Sequence, residues 1–276
     1  MPAPQKSMLA NLAKLNFTSK GIKIPTDWAQ PGSQFGDAFA ASERAVAPNS
    51  PTNLFMQATL NKYHVQAAKE IGDKFDKYID GICGAICDGI DKWMKAATIA
   101  GAMVNGPVGM LMAGNVVGPP LGPLIMASAP KGTPQELKYS NAIANSFGTL
   151  WQAWHAGLMG VLSYPAFAAF PGPMAPPTPN IPMPLIAFSS PGEAGLAPSA
   201  LKSTIEGNFG DPKALHAADL FDAIAQAFNT VFLMFKSTTM VQNVLGTGPI
   251  PTFAPPFVPV GPVLGGVANG APGCLT

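Results

Sequence analysis

Charged residues are missing from three long stretches of this chain, and this pattern constrains the fold more than any other feature. The uncharged stretches are residues 96–130, 139–192 and 237–276. Charged residues make up 11% of the chain, less than half of the usual share of about 25%. A surface so poor in charge tends to associate, so we expect partner subunits or lipid to cover much of it.

The overall composition excludes two classes of protein. Proline and glycine contribute 30 and 29 of the 276 residues, yet the hydrophobic share is 47%. Disordered chains combine low hydrophobicity with high net charge, which is the reverse of this composition. The formal net charge is only +1, and no cluster of Lys and Arg is present that would neutralise phosphates. We therefore expect no nucleic-acid partner.

Three helix starts share one signature, a small polar residue followed by proline. The predicted N-cap residues are Ser50, Thr133 and Asp211. Their side-chain oxygens suit the N-cap, because they accept a hydrogen bond from a free backbone N–H of the first turn. Proline fits the first helical position, where its missing N–H would have no partner anyway. Glu136 follows Thr133 by three residues and predicts a capping box.

An amphipathic helix is expected after each of these starts. The first should run from residue 51 to about 100, with a break near Gly72 or Gly81. The second is expected over about 134–163 and the third over about 212–245. In the first helix, apolar residues recur at steps of three and four: Ile71, Phe75, Ile79, Ile82, Ile86, Ile90 and Trp93. This spacing indicates one buried helical face.

Each predicted helix is followed by a proline-rich, uncharged segment, here called an arm. A proline and two aliphatic residues recur in the arms: Pro123, Leu124 and Ile125, then Pro184, Leu185 and Ile186, then Pro262, Val263 and Leu264. Dense proline favours extended, polyproline-like or edge-strand backbone that cannot form a core alone. We therefore predict that these nine residues dock the arms on partner subunits, with N–H groups pairing with an exposed sheet edge.

The fold predicted from these patterns is mainly α, with three helix-plus-arm repeats arranged in a pseudo-threefold manner. The arms are expected to be extended or to form short β-strands. The predicted division is an extended N-terminal arm over 1–49 and repeats over 50–132, 133–210 and 211–276. Such a chain would suit a partner assembly with threefold or sixfold symmetry.

Residues for catalysis or metal binding are sparse. His155 has no neighbouring carboxylate in sequence and follows Trp151 and Trp154, whereas His216 precedes Asp219. No phosphate-binding loop, dinucleotide fingerprint or nucleophile elbow is present. The cysteines Cys83, Cys87 and Cys274 are interpreted as buried thiols, and no Cys/His set has zinc spacing. We expect no enzyme activity, cofactor or metal; an enzyme would need His155 or His216 beside a carboxylate in the folded chain.

A membrane protein is the main alternative. Residues 150–170 are apolar and long enough to cross a bilayer as a helix. Gln152, His155 and Pro165 interrupt this stretch, and no nearby Lys or Arg gives an orientation. The alternative is therefore a membrane-inserting or pore-associated protein that uses this helix.

The charge-poor, Gly/Pro/Ala-rich pattern of residues 50–276 resembles small accessory components of phage tails and of phage-tail-like contractile injection systems. The resemblance implies a spike tip, plug or cage, and it carries no diagnostic residues. We predict a non-enzymatic structural or assembly protein of such a machine or of a virion. No apolar segment typical of a secretory signal follows Met1. We expect synthesis in the cytoplasm and a final place in a particle, inside or outside the cell.

Overall fold

The protein was analysed as a computed structural model. It describes residues 4–20, 61–167, 174–214, 216–250, 253–254, 258–259 and 262–276. The N-cap predicted at Ser50, most of the predicted N-terminal arm and the first turns predicted after residue 51 lie outside these residues.

The described chain contains six α-helices and a sheet built from strands that are distant in sequence. The helices are α1 (Lys6–Ser19), α2 (Asn61–Ala96), α3 (Leu121–Met126), α4 (Pro134–Ala156), α5 (Pro198–Phe209) and α6 (Ala217–Thr238). Helix α1 packs on α2 and α6, and α4 packs on α3 and α5. Residues 6–19 were predicted to be extended, and this prediction is wrong: Leu9, Ala13 and Phe17 form a buried helical stripe.

Helix α2 follows the predicted apolar periodicity closely. Five side chains of its stripe are fully buried: Ile79, Ile82, Ile86, Ile90 and Trp93. The break predicted near Gly72 or Gly81 is wrong, because the helix is continuous through both residues. A Cβ atom on Gly81 would lie 2.6 Å from the Pro130 ring. This glycine therefore allows a close helix contact and does not interrupt the helix.

Helix α4 begins as predicted and ends earlier. The Thr133 hydroxyl accepts the Glu136 N–H at 3.1 Å, and the Glu136 carboxylate accepts the Thr133 N–H at 3.1 Å. The predicted capping box is confirmed. The helix ends at Ala156, and residues 160–163 form a strand. The helix predicted to reach residue 163, and with it the membrane helix predicted over 150–170, is therefore wrong.

The helix predicted over 212–245 is wrong at both ends: helix α6 is shorter, and residues 240–241 and 244–249 form strands. The preceding helix α5 ends at Phe209 and is followed by Gly210, whose φ of 66° lies in the left-handed region that glycine adopts most easily. Helix α6 begins after His216, so Asp211 is not its N-cap. The Asp211 carboxylate instead accepts the Lys213 N–H in the intervening turn and pairs with Lys138 at 3.1 Å.

The strands of the main sheet are all antiparallel. Seven strands belong to it: β1 (Thr98–Asn105), β2 (Val108–Leu111), β3 (Val116–Val117), β4 (Gly160–Ser163), β5 (Met174–Pro179), β8 (Val244–Pro249) and β11 (Gly266–Gly270). Their order is β4-β2-β1-β11-β8-β5, with β3 beside β1. Two small pairs complete the strands: β6 (Met183–Pro184) with β7 (Met240–Val241), and β9 (Phe253–Ala254) with β10 (Val258–Pro259).

This sheet corrects the predicted fold class. Each of the three uncharged stretches supplies strands to the same sheet: β1 to β3, then β4 and β5, then β8 and β11. The chain is not a mainly α protein with three equivalent helix-plus-arm units. The physical reason is that the uncharged stretches satisfy their backbone N–H and C=O groups by pairing with one another.

The recurring proline-aliphatic motif adopts three different conformations. Pro123, Leu124 and Ile125 lie in helix α3. Pro184 ends strand β6, and Leu185 and Ile186 form a 3₁₀ turn. Pro262, Val263 and Leu264 precede strand β11 outside any helix. The motif therefore marks no structural repeat, and the pseudo-threefold arrangement is not formed.

Candidate interaction surface

One face of the main sheet presents apolar side chains to solvent, and we call it the outer face. Cross-strand pairing places Val161 beside Met110, Met110 beside Met103, and Met103 beside Val267. These four residues form one row across β4, β2, β1 and β11. Their exposed fractions are 48%, 46%, 46% and 42%, respectively. The row is therefore continuous and half-exposed along its whole length.

Neighbouring positions extend this row without adding charge. Val108 and Leu245 are also exposed and alternate with buried residues along β2 and β8. Beyond the last β2–β4 pair, the next residues on the two strands are the exposed Met112 and Met159. None of the strands in the main sheet contains Asp, Glu, Lys or Arg. The outer face is therefore apolar and electrically neutral.

The polar side chains of the outer face have partners within the chain. The Asn105 side-chain oxygen accepts the Gly265 N–H at 2.8 Å, and the Asn269 side-chain oxygen accepts the Gly101 N–H at 2.9 Å. Both donor residues, Gly265 and Gly101, have positive φ. These two amide oxygens stabilise the sheet. A partner of the outer face would therefore contact mainly apolar area.

The opposite face of the sheet is covered by the protein itself. Tyr164 follows β4, and its ring lies where a Cβ atom on Gly109 or Gly246 would be 2.7 or 2.8 Å away. Burial raises the pKa of Tyr164 to about 12. Glycines thus let an aromatic ring fill the inner side of the sheet. Of the two faces of the sheet, the outer face is therefore the exposed one in the described parts of the chain.

Both edges of the sheet are blocked against a further strand. Beyond β4, the Ile181 N–H donates to the Ser163 carbonyl at 2.7 Å. Met159 and Ser189 exchange both of their backbone hydrogen bonds, at 2.8 and 3.0 Å. The other edge strand, β5, has the sequence MAPPTP, and its three prolines have no N–H to donate. This sheet therefore offers no suitable edge to a strand added by another chain.

The nine predicted docking residues are divided between the core and the surface. Ile125, Leu185 and Val263 are buried in the chain's own hydrophobic core. Ile186 and Leu264 are about half-exposed, and Leu124 is partly buried against the core. Pro123 and Pro262 are exposed, and Pro184 is intermediate. The structure does not bring the nine residues together into one surface.

The outer-face row was missed in the sequence because both faces of its strands carry apolar side chains. The segments 102–105 and 108–111 read AMVN and VGML, in which every second residue faces outward. A half-buried strand is normally recognised by alternation of apolar and polar residues, and Met103 and Met110 do not give that alternation. The dense proline and glycine around these segments predicted extended arms instead.

The histidines do not form a catalytic arrangement within the described residues. His155 is buried against the Trp93 ring, and its Nδ1 lies 3.3 Å from the Val116 carbonyl oxygen. Burial lowers its pKa, which the Val116 hydrogen bond offsets in part. His216 is partly exposed, with Nδ1 3.7 Å from the Asp219 carboxylate. The side chain of His64 lies outside the described residues.

The cysteines are buried thiols, as the sequence predicted. Burial raises the pKa of Cys87 to about 12 and raises the pKa values of Cys83 and Cys274. A thiol that stays protonated is a poor nucleophile and a poor metal ligand. Across the described parts of the chain, no group of three or more His, Cys, Asp or Glu side chains could hold a metal ion.

The tryptophans of the apolar stretch 150–170 lie in the protein core. Trp151 and Trp154 are fully buried, with ring centroids 4.5 Å apart, and both contact Trp93 and Phe232. Among the described helices, α6 alone is long and apolar enough to cross a membrane. Since 56% of its apolar window is buried inside the fold, core packing accounts for that composition.

Comparison of the chain with protein-family models, with curated proteins and with solved structures found no match.

Proposed function

We propose that this protein is a non-enzymatic structural subunit of a large protein assembly and that the outer face of its sheet is a subunit contact. One observation supports the proposal most: the neutral row of half-exposed Val161, Met110, Met103 and Val267. Contiguous apolar surface on soluble proteins is often a binding surface, because its exposure to water is unfavourable. Burial stabilises a contact by about 25 cal/mol for each Å² of apolar area.

Two of the row's residues are methionines, which favours this use. Methionine is unbranched and flexible, so it adapts to irregular partner surfaces better than branched residues do. The absence of charge in the strands removes the cost of desolvating ions when a partner binds. These properties support a contact that is buried for long periods, as in an assembly.

A place in a tail-like injection machine or a virion remains our proposal for the kind of assembly. Its support is the charge-poor, Pro/Gly-rich composition, which resembles accessory components of such machines. Pseudo-threefold symmetry does not support this proposal, because the three motifs adopt unrelated conformations. The structural role itself does not depend on symmetry and rests on the outer face.

An enzymatic role has less support from the described residues. The exposed His216–Asp219 pair lies at the start of α6, with its two atoms 3.7 Å apart. His155 hydrogen bonds to the backbone and is enclosed by aromatic side chains. Neither histidine has the buried carboxylate partner that would orient a general base.

The proposal is tested by isolating the protein from the cells that make it, without detergent, and measuring particle mass and shape. Recovery in a large particle, seen by light scattering and negative-stain microscopy, is the expected result. Extraction only by detergent, as a small species, would contradict the structural role and favour a membrane protein. Recovery as a free, detergent-independent monomer would also contradict it.

A further inference from the structure

Helix α1 lies antiparallel on α2 in a register set by two ion pairs. The Lys6 ammonium group is 2.6 Å from the Asp88 carboxylate, and the Lys14 ammonium group is 2.6 Å from the Asp80 carboxylate. Both helices rise about 1.5 Å per residue, and the two pairs are equally far apart along each of them. The part of α1 between its two lysines therefore lies along the part of α2 between its two aspartates.

Two cysteines lie in that part of α2. Cys83 and Cys87 are about one helical turn apart, and neither is more than 2% exposed. A Cβ atom on Gly84, between them, would lie 4.0 Å from the Lys6 side chain. Burial raises the pKa values of both thiols, and the charges of the two α1 lysines nearby oppose this in part. Helix α1 therefore passes beside both thiols and shields them from water.

Few buried side chains hold α1 on the fold. Four of its residues are buried, and two of these are alanines: Leu9, Ala10, Ala13 and Phe17. The helix also begins weakly, because the Gln5 side chain makes no capping hydrogen bond and Lys6 stands in the first turn, where an acidic residue is favoured. Elements with little buried apolar area open locally at a lower free energy than the whole protein unfolds.

Attraction between opposite charges supplies another part of the contact. Helix α1 and the residue after it carry Lys6, Lys14 and Lys20 and no acidic residue. Each lysine pairs with an aspartate, two on α2 and Asp222 on α6, and all of the paired side chains are in part exposed. Exposed ion pairs contribute little individually and are screened by salt. The hold on α1 should therefore weaken as the salt concentration rises.

We infer that α1 is a detachable cover, which leaves α2 and α6 while the rest of the fold persists, and that Cys83 and Cys87 are a thiol-modification site that this cover masks. When α1 leaves, water reaches both sulfurs and removes the cause of their low reactivity. A group added to either sulfur would take the space of α1, so the modified protein would keep the helix undocked. This device does not depend on the structural role proposed for the outer face.

The test is labelling of the purified full chain with N-ethylmaleimide in the absence of denaturant, followed for each cysteine by peptide mass spectrometry. A thiolate adds to the maleimide double bond, which forms an S–C bond, and the adjacent carbon takes a proton from water. Cys274 is the control thiol, since it is 1% exposed and donates to the Ala97 carbonyl beyond the end of α2. Cys83 and Cys87 should react at least about 100-fold faster than Cys274, because only Cys274 requires a larger opening.

Salt and charge variants show whether α1 is the element that opens. At 1 M NaCl the rates at Cys83 and Cys87 should rise about tenfold, because three exposed ion pairs are screened together. Lys14→Gln removes one of these pairs and should raise both rates about threefold. Lys138→Gln is the matched control: it removes the similarly exposed Lys138–Asp211 pair, which does not involve α1. It should leave both rates unchanged.

Equal labelling rates at Cys83, Cys87 and Cys274 would overturn the inference, because they would show that the thiols react only when the whole protein unfolds. Rates at Cys83 and Cys87 that neither NaCl nor Lys14→Gln changes would overturn it as well, since an element other than α1 would then control access. An increase with Lys138→Gln equal to that with Lys14→Gln would have the same consequence.

Discussion

At the scale of single residues, the most informative charge is the one that is buried. Lys236 near the end of α6 is only 5% exposed. Its ammonium group pairs with Glu193 of a 3₁₀ helix (Pro191–Leu196) and lies 5.3 Å from the Phe232 ring centroid. This pair joins an irregular segment to the aromatic core. A buried cation that lost its partner would have no water to replace it.

Glu193→Gln should therefore destabilise the protein by about 2 kcal/mol, measured by urea unfolding. The value is below the full range for a buried pair because Glu193 is about one-third exposed. The double variant Glu193→Gln/Lys236→Met should recover most of the loss, since it removes the unpaired cation. Glu206→Gln in the exposed Lys202–Glu206 pair is the control and should have a much smaller effect. Equal losses in the two single variants would contradict this account of Lys236.

His155 should make stability depend on pH. Burial lowers its pKa below the ordinary value of 6.5 in the folded chain. The unfolded state therefore binds a proton at a higher pH than the folded state does. As the pH falls below about 6.5, the free energy of unfolding decreases by up to about 1.4 kcal/mol per pH unit. Above that pH, this contribution is fully present. Denaturation of His155→Gln at several pH values should show a smaller slope between pH 7 and 5 than the wild type does.

The His155→Gln substitution also alters packing, and this cost in free energy of unfolding is the same at every pH. The difference between the two proteins at pH 8 measures it, because the wild-type imidazole is neutral there in both states. Subtracting that cost isolates the proton-linked part. Parallel curves for the two proteins across the whole pH range would show that His155 does not contribute.

At the scale of elements, local signals and tertiary contacts determined different features. The start of α4 follows from Thr133 and Glu136, which lie three residues apart. Asp211 has the same local signature, yet it lies in the turn after α5 and pairs with Lys138 of α4. A polar residue before proline therefore permits a cap, and the surrounding helices decide whether it is used.

Thr133→Ala should destabilise the protein by about 1 kcal/mol, because it removes one half of the capping box. The measurement is urea unfolding, with loss of α4 backbone protection followed by amide hydrogen exchange. Asp211→Ala provides the matched control and should cost much less, since Asp211 caps no helix. If Asp211→Ala costs as much as Thr133→Ala, the assignment of caps to these two residues would be wrong.

At the scale of the whole molecule, charge is separated from the sheet. The charged residues that the structure describes lie in helices or in their adjoining turns, whereas the sheet strands have none. Ion pairs such as Lys6–Asp88 and Lys14–Asp80 join α1 to α2 on the helical side. One side of the protein is thus suited to water and the sheet side to a neutral, apolar partner.

The subunit contact proposed for the outer face should accordingly be insensitive to screening by NaCl. At 1 M NaCl the Debye length is about 3 Å, so a contact held by ion pairs would weaken strongly. A particle held together by neutral apolar contacts should keep its mass, and ammonium sulfate should favour its assembly by favouring burial of apolar area. Light scattering of the isolated particle across a salt series measures both effects. Dissociation in NaCl would indicate that charged helices make the contact.

Much of the helical layer could be predicted from the sequence, and the candidate surface could not. The stripe from Ile79 to Trp93 was correct because residues three and four apart share a helical face. The row on the outer face joins Met103 to Val267, which are 164 positions apart in the chain. Gly81 was predicted to break its helix because its contact with Pro130, 49 positions away in the chain, is not visible in the local sequence.

By itself, the sequence determined where helices could be amphipathic, where α4 begins and which stretches carry no charge. These properties depend on side chains within about one helical turn of each other or on composition alone. The tertiary structure decided that the uncharged stretches pair with one another, and it decided which of their aliphatic side chains remain outside. Strand pairing and its register depend on packing between distant segments, so neighbouring residues in the sequence do not reveal them.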